Sequence, residues 1–233
     1  MEAIILTSLY TAVGRFERRN CENGKYPVVI VNGKEHMVGI SEMLIWTCCN
    51  WRILELSKLH ELYAQMARSA GVDDSEDFEG HIERLLRRGL IMSGLGDTCA
   101  DALYDLLNNL YVIPVTSSIF IKIAAFLKFI FVNKMPFSKA KTVFRKETLS
   151  ENERRVVGLA RQTQLSTAEL IKCIEIGVHD LSSDEKIMEA LYNDDITTCD
   201  NIGYYVKSSR KQRPVLETVA NLYLRKLIIF ERI

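Results

Sequence analysis

A chain of 233 residues is long enough for one large or two small folded units, and 48% apolar with 26% charged residues is the composition of a chain that buries a core. Thirty Lys and Arg balance thirty Asp and Glu, which excludes indiscriminate nucleic-acid binding through bulk charge. The balance is uneven along the chain: residues 1–115 hold 11 cations against 16 anions, and residues 116–233 hold 19 against 14, so the C-terminal half is net basic.

In chain order, β signals come first. Tyr26–Val31 is rich in β-branched residues, and Asn32-Gly33 is the strongest short hairpin signal, which makes 34–39 the returning strand. Residues 13–18 pair as a third strand through Asn23-Gly24, giving an antiparallel meander across 12–39. Helices follow. Ser41 caps the first, and the second starts near Ser57 and ends at Gly71. The third is capped by Asp74 or Ser75, with Phe78, Ile82, Leu85 and Leu86 on one face and Gly89 past its end. Acidic residues crowd its first turns and Arg84, Arg87 and Arg88 its last, as the helix dipole favours. Leu90-Ile91-Met92, a turn at Gly94-Leu95-Gly96 and a helix from Thr98 through Leu110 come next.

A boundary is expected near Pro114 or in the 133–138 loop. The apolar run 119–132 reads as a core helix, since 14 residues carrying Lys122 and Lys128 fall short of the roughly 20 uncharged residues of a membrane span. Ser150/Glu153, Ser166/Glu169 and Ser182/Glu185 are capping boxes that start three helices, the first two joined by a short helix-turn-helix linkage. Pro214 opens a final helix to about Leu227, and 228–230 is a closing strand. No sequence repeat between the halves is apparent.

Three helices, then Arg84-Leu85-Leu86-Arg87-Arg88-Gly89-Leu90-Ile91 and a glycine-containing hairpin, resemble a winged helix-turn-helix. With strands ahead of the helices, residues 13–92 resemble more closely the PqqD-like fold, the leader-peptide recognition element of modified-peptide biosynthesis. That resemblance implies a peptide strand added to an edge of the small sheet, at 34–39 or 26–32, and packed against the helix at 75–88.

Lys207, Arg210, Lys211 and Arg213, just ahead of Pro214, are the candidate nucleic-acid contacts, with side chains and free backbone N–H groups available to phosphates. Arg84, Arg87 and Arg88 are a second candidate set, weighed against a solvated helix face, because the start of their helix is acidic where a reading helix makes its base contacts. Trp46, Trp51, Tyr10, Phe16 and Tyr63 read as packing residues. The histidines are scattered, and no nucleophile elbow, phosphate loop or metal-ligand pair occurs; Asp194-Asp195 with Cys199 and Asp200 reads as a polar loop. Neither a cofactor nor catalysis is expected. The opening residues do not read as a secretory leader, so reduced, buried thiols and a cytoplasmic location are expected.

The expectation is thus an α+β, predominantly α chain. Residues 1–113 form the meander plus winged helix, and residues 114–233 a helical unit with a second helix-turn-helix. Its expected role is that of a DNA-binding regulator or accessory factor, with a peptide or protein adaptor and a subunit of a larger assembly as competing readings. No membrane partner is expected, and the sequence leaves room for homo-oligomers.

Overall fold

A computed structural model of the chain describes residues 6–21, 24–72, 77–115, 148–194 and 196–233. The elements are β1 (Thr7–Ala12), β2 (Arg15–Cys21), β3 (Gly24–Val31), β4 (Lys34–Met37), α1 (Ile40–Cys49), β5 (Leu54–Glu55), α2 (Leu56–Ala70), α3 (Phe78–Arg87), β6 (Ile91–Gly96), α4 (Cys99–Leu107) and β7 (Leu110–Pro114). They continue with α5 (Glu151–Ala160), β8 (Leu165–Ser166), α6 (Thr167–Ile176), α7 (Asp184–Tyr192), α8 (Ile202–Val206), α9 (Gln212–Leu224) and β9 (Ile228–Arg232). The chain is α+β, and among the described residues the strands form three small antiparallel sheets, ordered β5-β1-β6, β2-β3-β4 and β8-β7-β9. The expected core helix at 119–132 and the 133–138 loop lie outside the described residues.

The meander forms as its turn chemistry dictates. Asn32 and Gly33 both have positive φ (48° and 74°), the backbone of a tight hairpin turn, and Val31 pairs with Lys34 across it. The strand expected at 13–18 begins at Arg15 instead. Val13 and Gly14 are the joint between β1 and β2, where Gly14 takes φ +79° and a Cβ would stand 2.2 Å from Ile30 O. Other boundaries also move. The cap of α1 is Gly39, with Glu42 Oε2 accepting its N–H (3.1 Å), because Ser41 already lies inside the helix. Asp77 caps α3, Oδ1 accepting the Gly80 N–H (2.9 Å); Asp74 and Ser75 lie outside the described residues. Ser183, one residue beyond the expected Ser182, caps α7. The boxes Ser150/Glu153 and Ser166/Glu169 are formed as expected, whereas Pro214 is the third residue of α9 and Leu110 belongs to β7.

The expected turn at Gly94-Leu95-Gly96 is instead the end of β6. After α3 the chain does not turn back as a hairpin: β6 pairs along its length with β1, from Ala12↔Ile91 to Thr7↔Gly96. Both glycines serve the close approach of α4, since a Cβ on Gly94 would lie 2.3 Å from Leu106 N, and one on Gly96 2.3 Å from Ala102 N.

A structural repeat, invisible as sequence, relates the two halves. In each, a first strand (β1 or β7) sits in the middle of its sheet, followed after an excursion by a helix (α1 or α5) and a two-residue strand (β5 or β8). A second helix (α2 or α6), a last helix (α3 or α9) and an outer strand (β6 or β9) complete it. The equivalence reaches single hydrogen bonds. Val13 N donates to Leu90 O (3.0 Å) as Val115 N does to Leu227 O (2.8 Å). Glu42 accepts the Gly39 N–H and pairs with Arg88 (3.0 Å), while Glu153 accepts the Ser150 N–H (2.8 Å) and pairs with Arg225 (2.5 Å). Each half therefore ties the first turn of one helix to the C-cap of another through one buried carboxylate. The excursion of the first half is the meander, and the second half carries α7 and α8 between α6 and α9.

Burial works to raise the Glu153 pKa, but the Ser150 N–H and the Arg225 guanidinium outweigh it and hold the carboxyl below its ordinary value. A carboxyl depressed in the folded state contributes stability above its unfolded pKa, about 4.3, and that contribution is lost as pH falls through the folded value. Glu153→Gln should therefore lower stability most near neutral pH, with the gap to wild type narrowing below about pH 4. Urea titrations at several pH values check this, and a gap independent of pH would contradict it.

The buried apolar side chains of both halves form one continuous core. At the junction Trp51 N donates to the Tyr223 hydroxyl (2.9 Å), Gly14 N donates to Phe230 O (2.7 Å), and the meander turn docks on β9 as Asn32 N donates to Glu231 Oε2 (2.7 Å). The expectation of uniformly buried thiols holds only in part: Cys48, Cys49 and Cys173 are buried, whereas Cys99 and Cys199 are exposed. Among the described residues no helix is long and apolar enough to cross a membrane.

Candidate nucleic-acid interface

The basic cluster occupies the connection from α8 into α9. Ile202 and Val206, four residues apart, bury one face of α8, and the Tyr104 hydroxyl donates to Gly203 O, so this short helix is pinned to the core from both sides. Asn201 closes the loop ahead of it: Oδ1 accepts the Thr198 N–H (2.7 Å) and Nδ2 donates to Ile196 O (2.8 Å). Lys207 is the C-cap of α8, and Lys211 the N-cap of α9.

Lys207, Arg210, Lys211 and Arg213 are all exposed. Arg213 pairs with Glu217 one turn on (2.9 Å), with its side chain 81% exposed, an arrangement solvent screens strongly. Lys207, Arg210 and Lys211 have no carboxylate partner among the described residues. The backbone contribution expected here is smaller than the sequence implied. Lys211 N donates to Ser209 Oγ (3.0 Å), Gln212 N donates to Ser209 O (3.1 Å), and Pro214 has no N–H, so anion contact at this turn falls mainly to side chains.

Arg84, Arg87 and Arg88 are placed otherwise. Arg84 and Arg88 converge on Glu42 (3.5 and 3.0 Å), and Arg88 also donates to Met37 O. Arg87 pairs with Glu83 (2.7 Å). The Arg84 and Arg88 guanidinium groups hold α3 to α1 and β4, the Arg87 pair lies within α3, and the start of α3 carries Asp77 and Glu79. The equivalent helices of the two halves thus begin with opposite charge, acidic at α3 and basic at α9.

The same bonds bear on the small sheet. β3 is its central strand, so 26–32 offers no edge; the edges are β2 and β4. At the end of β4 the Met37 carbonyl is taken by Arg88. Beside β2 lies an open groove of about 540 Å3, lined by Phe16, Arg18, Tyr26, Met43 and Trp46 among others. Phe16 is partly exposed there, with Arg18 over its ring (5.9 Å), whereas Tyr63 is fully buried and Trp46 is buried with Nε1 donating to Val13 O (3.2 Å).

The acidic loop near Cys199 is organised by its own backbone: the Asp194 carboxylate accepts from Ile196 N (3.1 Å) and Thr197 Oγ1 (2.8 Å). Those bonds, Thr197's foremost, hold its pKa below the ordinary aspartate value. Among the described residues no group of His, Cys, Asp and Glu is arranged to hold a metal ion.

Two residues beside the cations escaped the sequence reading. Tyr204 and Tyr205 stand 80% and 50% exposed, their rings 5.8 Å apart and nearly perpendicular. The signal was present, since Ile202 and Val206 at helical spacing mark the inner face of α8 and leave the tyrosines outside. No family model, no curated protein and no solved structure matches this chain.

Proposed function

We propose that this chain is a non-enzymatic DNA-binding protein of winged-helix type, a transcriptional regulator or accessory factor, that grips backbone phosphates with Lys207, Arg210, Lys211 and Arg213. The observation carrying this reading is the contrast between the repeated halves. At the position where a reading helix makes its contacts, α3 presents carboxylates, whereas the approach to α9 presents Lys207, Arg210 and Lys211, which have no carboxylate partner among the described residues, and Arg213, paired with the exposed Glu217. On this reading the second half faces DNA and the first half serves packing or partner binding.

Fluorescence anisotropy with a mixed duplex pool tests it. Four phosphate contacts should cost roughly a hundredfold in affinity between 50 and 200 mM salt. Arg210→Glu with Lys211→Glu should reduce low-salt binding by at least about tenfold and flatten the salt dependence. Absence of binding at low salt would reject the reading.

A second reading, a peptide-binding adaptor akin to the PqqD-like fold, is favoured by the groove lined by β2, β3 and α1. Its ligand would add to β2, since the β4 edge is closed at Met37 by Arg88. Such an adaptor would be indifferent to the charge reversal and sensitive to Arg18→Pro.

A further inference from the structure

We propose that Tyr204 and Tyr205 form a stacking surface for unpaired nucleobases, so that this site binds a duplex carrying a single-stranded segment more tightly than a blunt duplex. The inference rests on the DNA reading and names the form of DNA that the site prefers.

An exposed tyrosine is unremarkable alone, but here two adjacent ones stand outward from a helix whose opposite face is fixed. Ile202 (1% exposed) and Val206 (4%) anchor α8, and the Tyr104 hydroxyl holds Gly203 O. A Cβ on Gly203 would come within 3.0 Å of Asn108 Oδ1, so the helix backbone lies close against the end of α4. The rings are therefore carried on a rigid base, which lowers the ordering cost of stacking on them. At 80% exposure Tyr204 leaves most of its ring open to a planar ligand, and the Tyr205 ring, nearly perpendicular to it, bounds one side.

The surroundings point to a polyanion that bears flat apolar groups. Lys207 has helical backbone angles and lies three residues after Tyr204, so both project from one side of α8. Arg210 and Lys211 follow within one loop. Rings that accept bases beside cations that accept phosphates are the two components of single-strand recognition, and duplex DNA, with its bases already stacked, uses only the second. Both ring hydroxyls can remain in water while the ring faces are covered.

The test compares three probes with the full chain: a blunt duplex, the same duplex with a single-stranded overhang, and the same duplex with an abasic overhang of equal length. The overhang should bind about tenfold more tightly than the blunt duplex, and the abasic overhang should fall well short of that, because it supplies phosphates without bases. Tyr204→Ala with Tyr205→Ala should erase the preference while leaving blunt-duplex affinity and its salt dependence unchanged, and Tyr204→Phe with Tyr205→Phe should retain it. Equal binding of blunt and overhanging duplexes, or an abasic overhang as good as the natural one, overturns the stacking proposal and leaves the DNA reading standing. Absence of binding to all three at low salt overturns both.

Discussion

Tyr223→Ala is expected to destabilise the protein by about 3–5 kcal/mol, measured as a fall in the urea midpoint with little change in slope. Two losses combine. The ring packs on Phe230 at 4.4 Å and is 1% exposed, so truncation leaves a cavity at the junction of the halves. The hydroxyl accepts the Trp51 N–H (2.9 Å) and lies 3.3 Å from both the Ala12 and Cys49 carbonyls, to which it donates. All three partners belong to the first half, while Tyr223 belongs to α9 of the second. Burial pushes the phenol up to about 12, so it stays protonated and able to donate across the usual working range. Tyr223→Phe keeps the ring and removes the bonds, and should cost about 1–3 kcal/mol. Equal effects of the two variants would mean that packing contributes nothing here.

Gly94→Ala is the second large effect, expected at about 3 kcal/mol from a single methyl group. The new Cβ would stand 2.3 Å from Leu106 N and 2.4 Å from Ala102 O, both backbone atoms of α4. Neither can swing aside as a side chain would, so α4 and β6 must separate and Ala102, Leu106 and Leu107 lose packing with them. Gly158→Ala on α5 is the control. A Cβ there meets nothing within 4 Å, and replacing a helical glycine should raise stability by about 0.5–1 kcal/mol. Thermal unfolding of the two variants side by side reads the contrast, and similar midpoints would contradict the close approach.

Local chemistry made much of this fold legible from the sequence. Asn32-Gly33 can hardly be other than a hairpin turn, and Ser150/Glu153 and Ser166/Glu169 announce helix starts because each side chain satisfies an N–H of the other residue. Short strands were missed: Leu54–Glu55 and Leu165–Ser166 are too brief for any periodicity, and Thr7–Ala12 alternates weakly because as a central strand it buries successive residues, Thr11 and Ala12, on both faces. The Gly94-Leu95-Gly96 error has a physical cause, since glycine there serves close packing and looks locally like a turn. The repeat stayed hidden because its offset changes along the chain: Glu42 and Glu153, like Leu59 and Leu170, are 111 residues apart, whereas Val13 and Val115 are 102 and Arg88 and Arg225 are 137 apart, so no single period runs through it. At the candidate interface the cations were legible as a charge run. That Lys207, Arg210 and Lys211 have no carboxylate partner among the described residues was not, because ion pairing depends on which side chains the fold brings near. The involvement of Arg84 and Arg88 in holding α3 in place was hidden for the same reason.

In the sheets β5-β1-β6 and β8-β7-β9 the middle strand precedes both of its neighbours in the chain, and one neighbour follows far behind. β1 must wait for β6, some eighty residues later, and β7 must wait for β9, more than a hundred residues later. On the ribosome, β7 emerges with neither neighbour available, and the edge that β9 pairs with stays open until Ile228–Arg232 have followed. Assembly of the second half is therefore gated by Ile228–Arg232, and its pairings of wide sequence separation place it among slow-closing topologies. A nascent chain of this design carries an unpaired strand edge through the whole interval between β7 and β9, after every strand of the first half has emerged, and that interval is when a chaperone has an edge to shield.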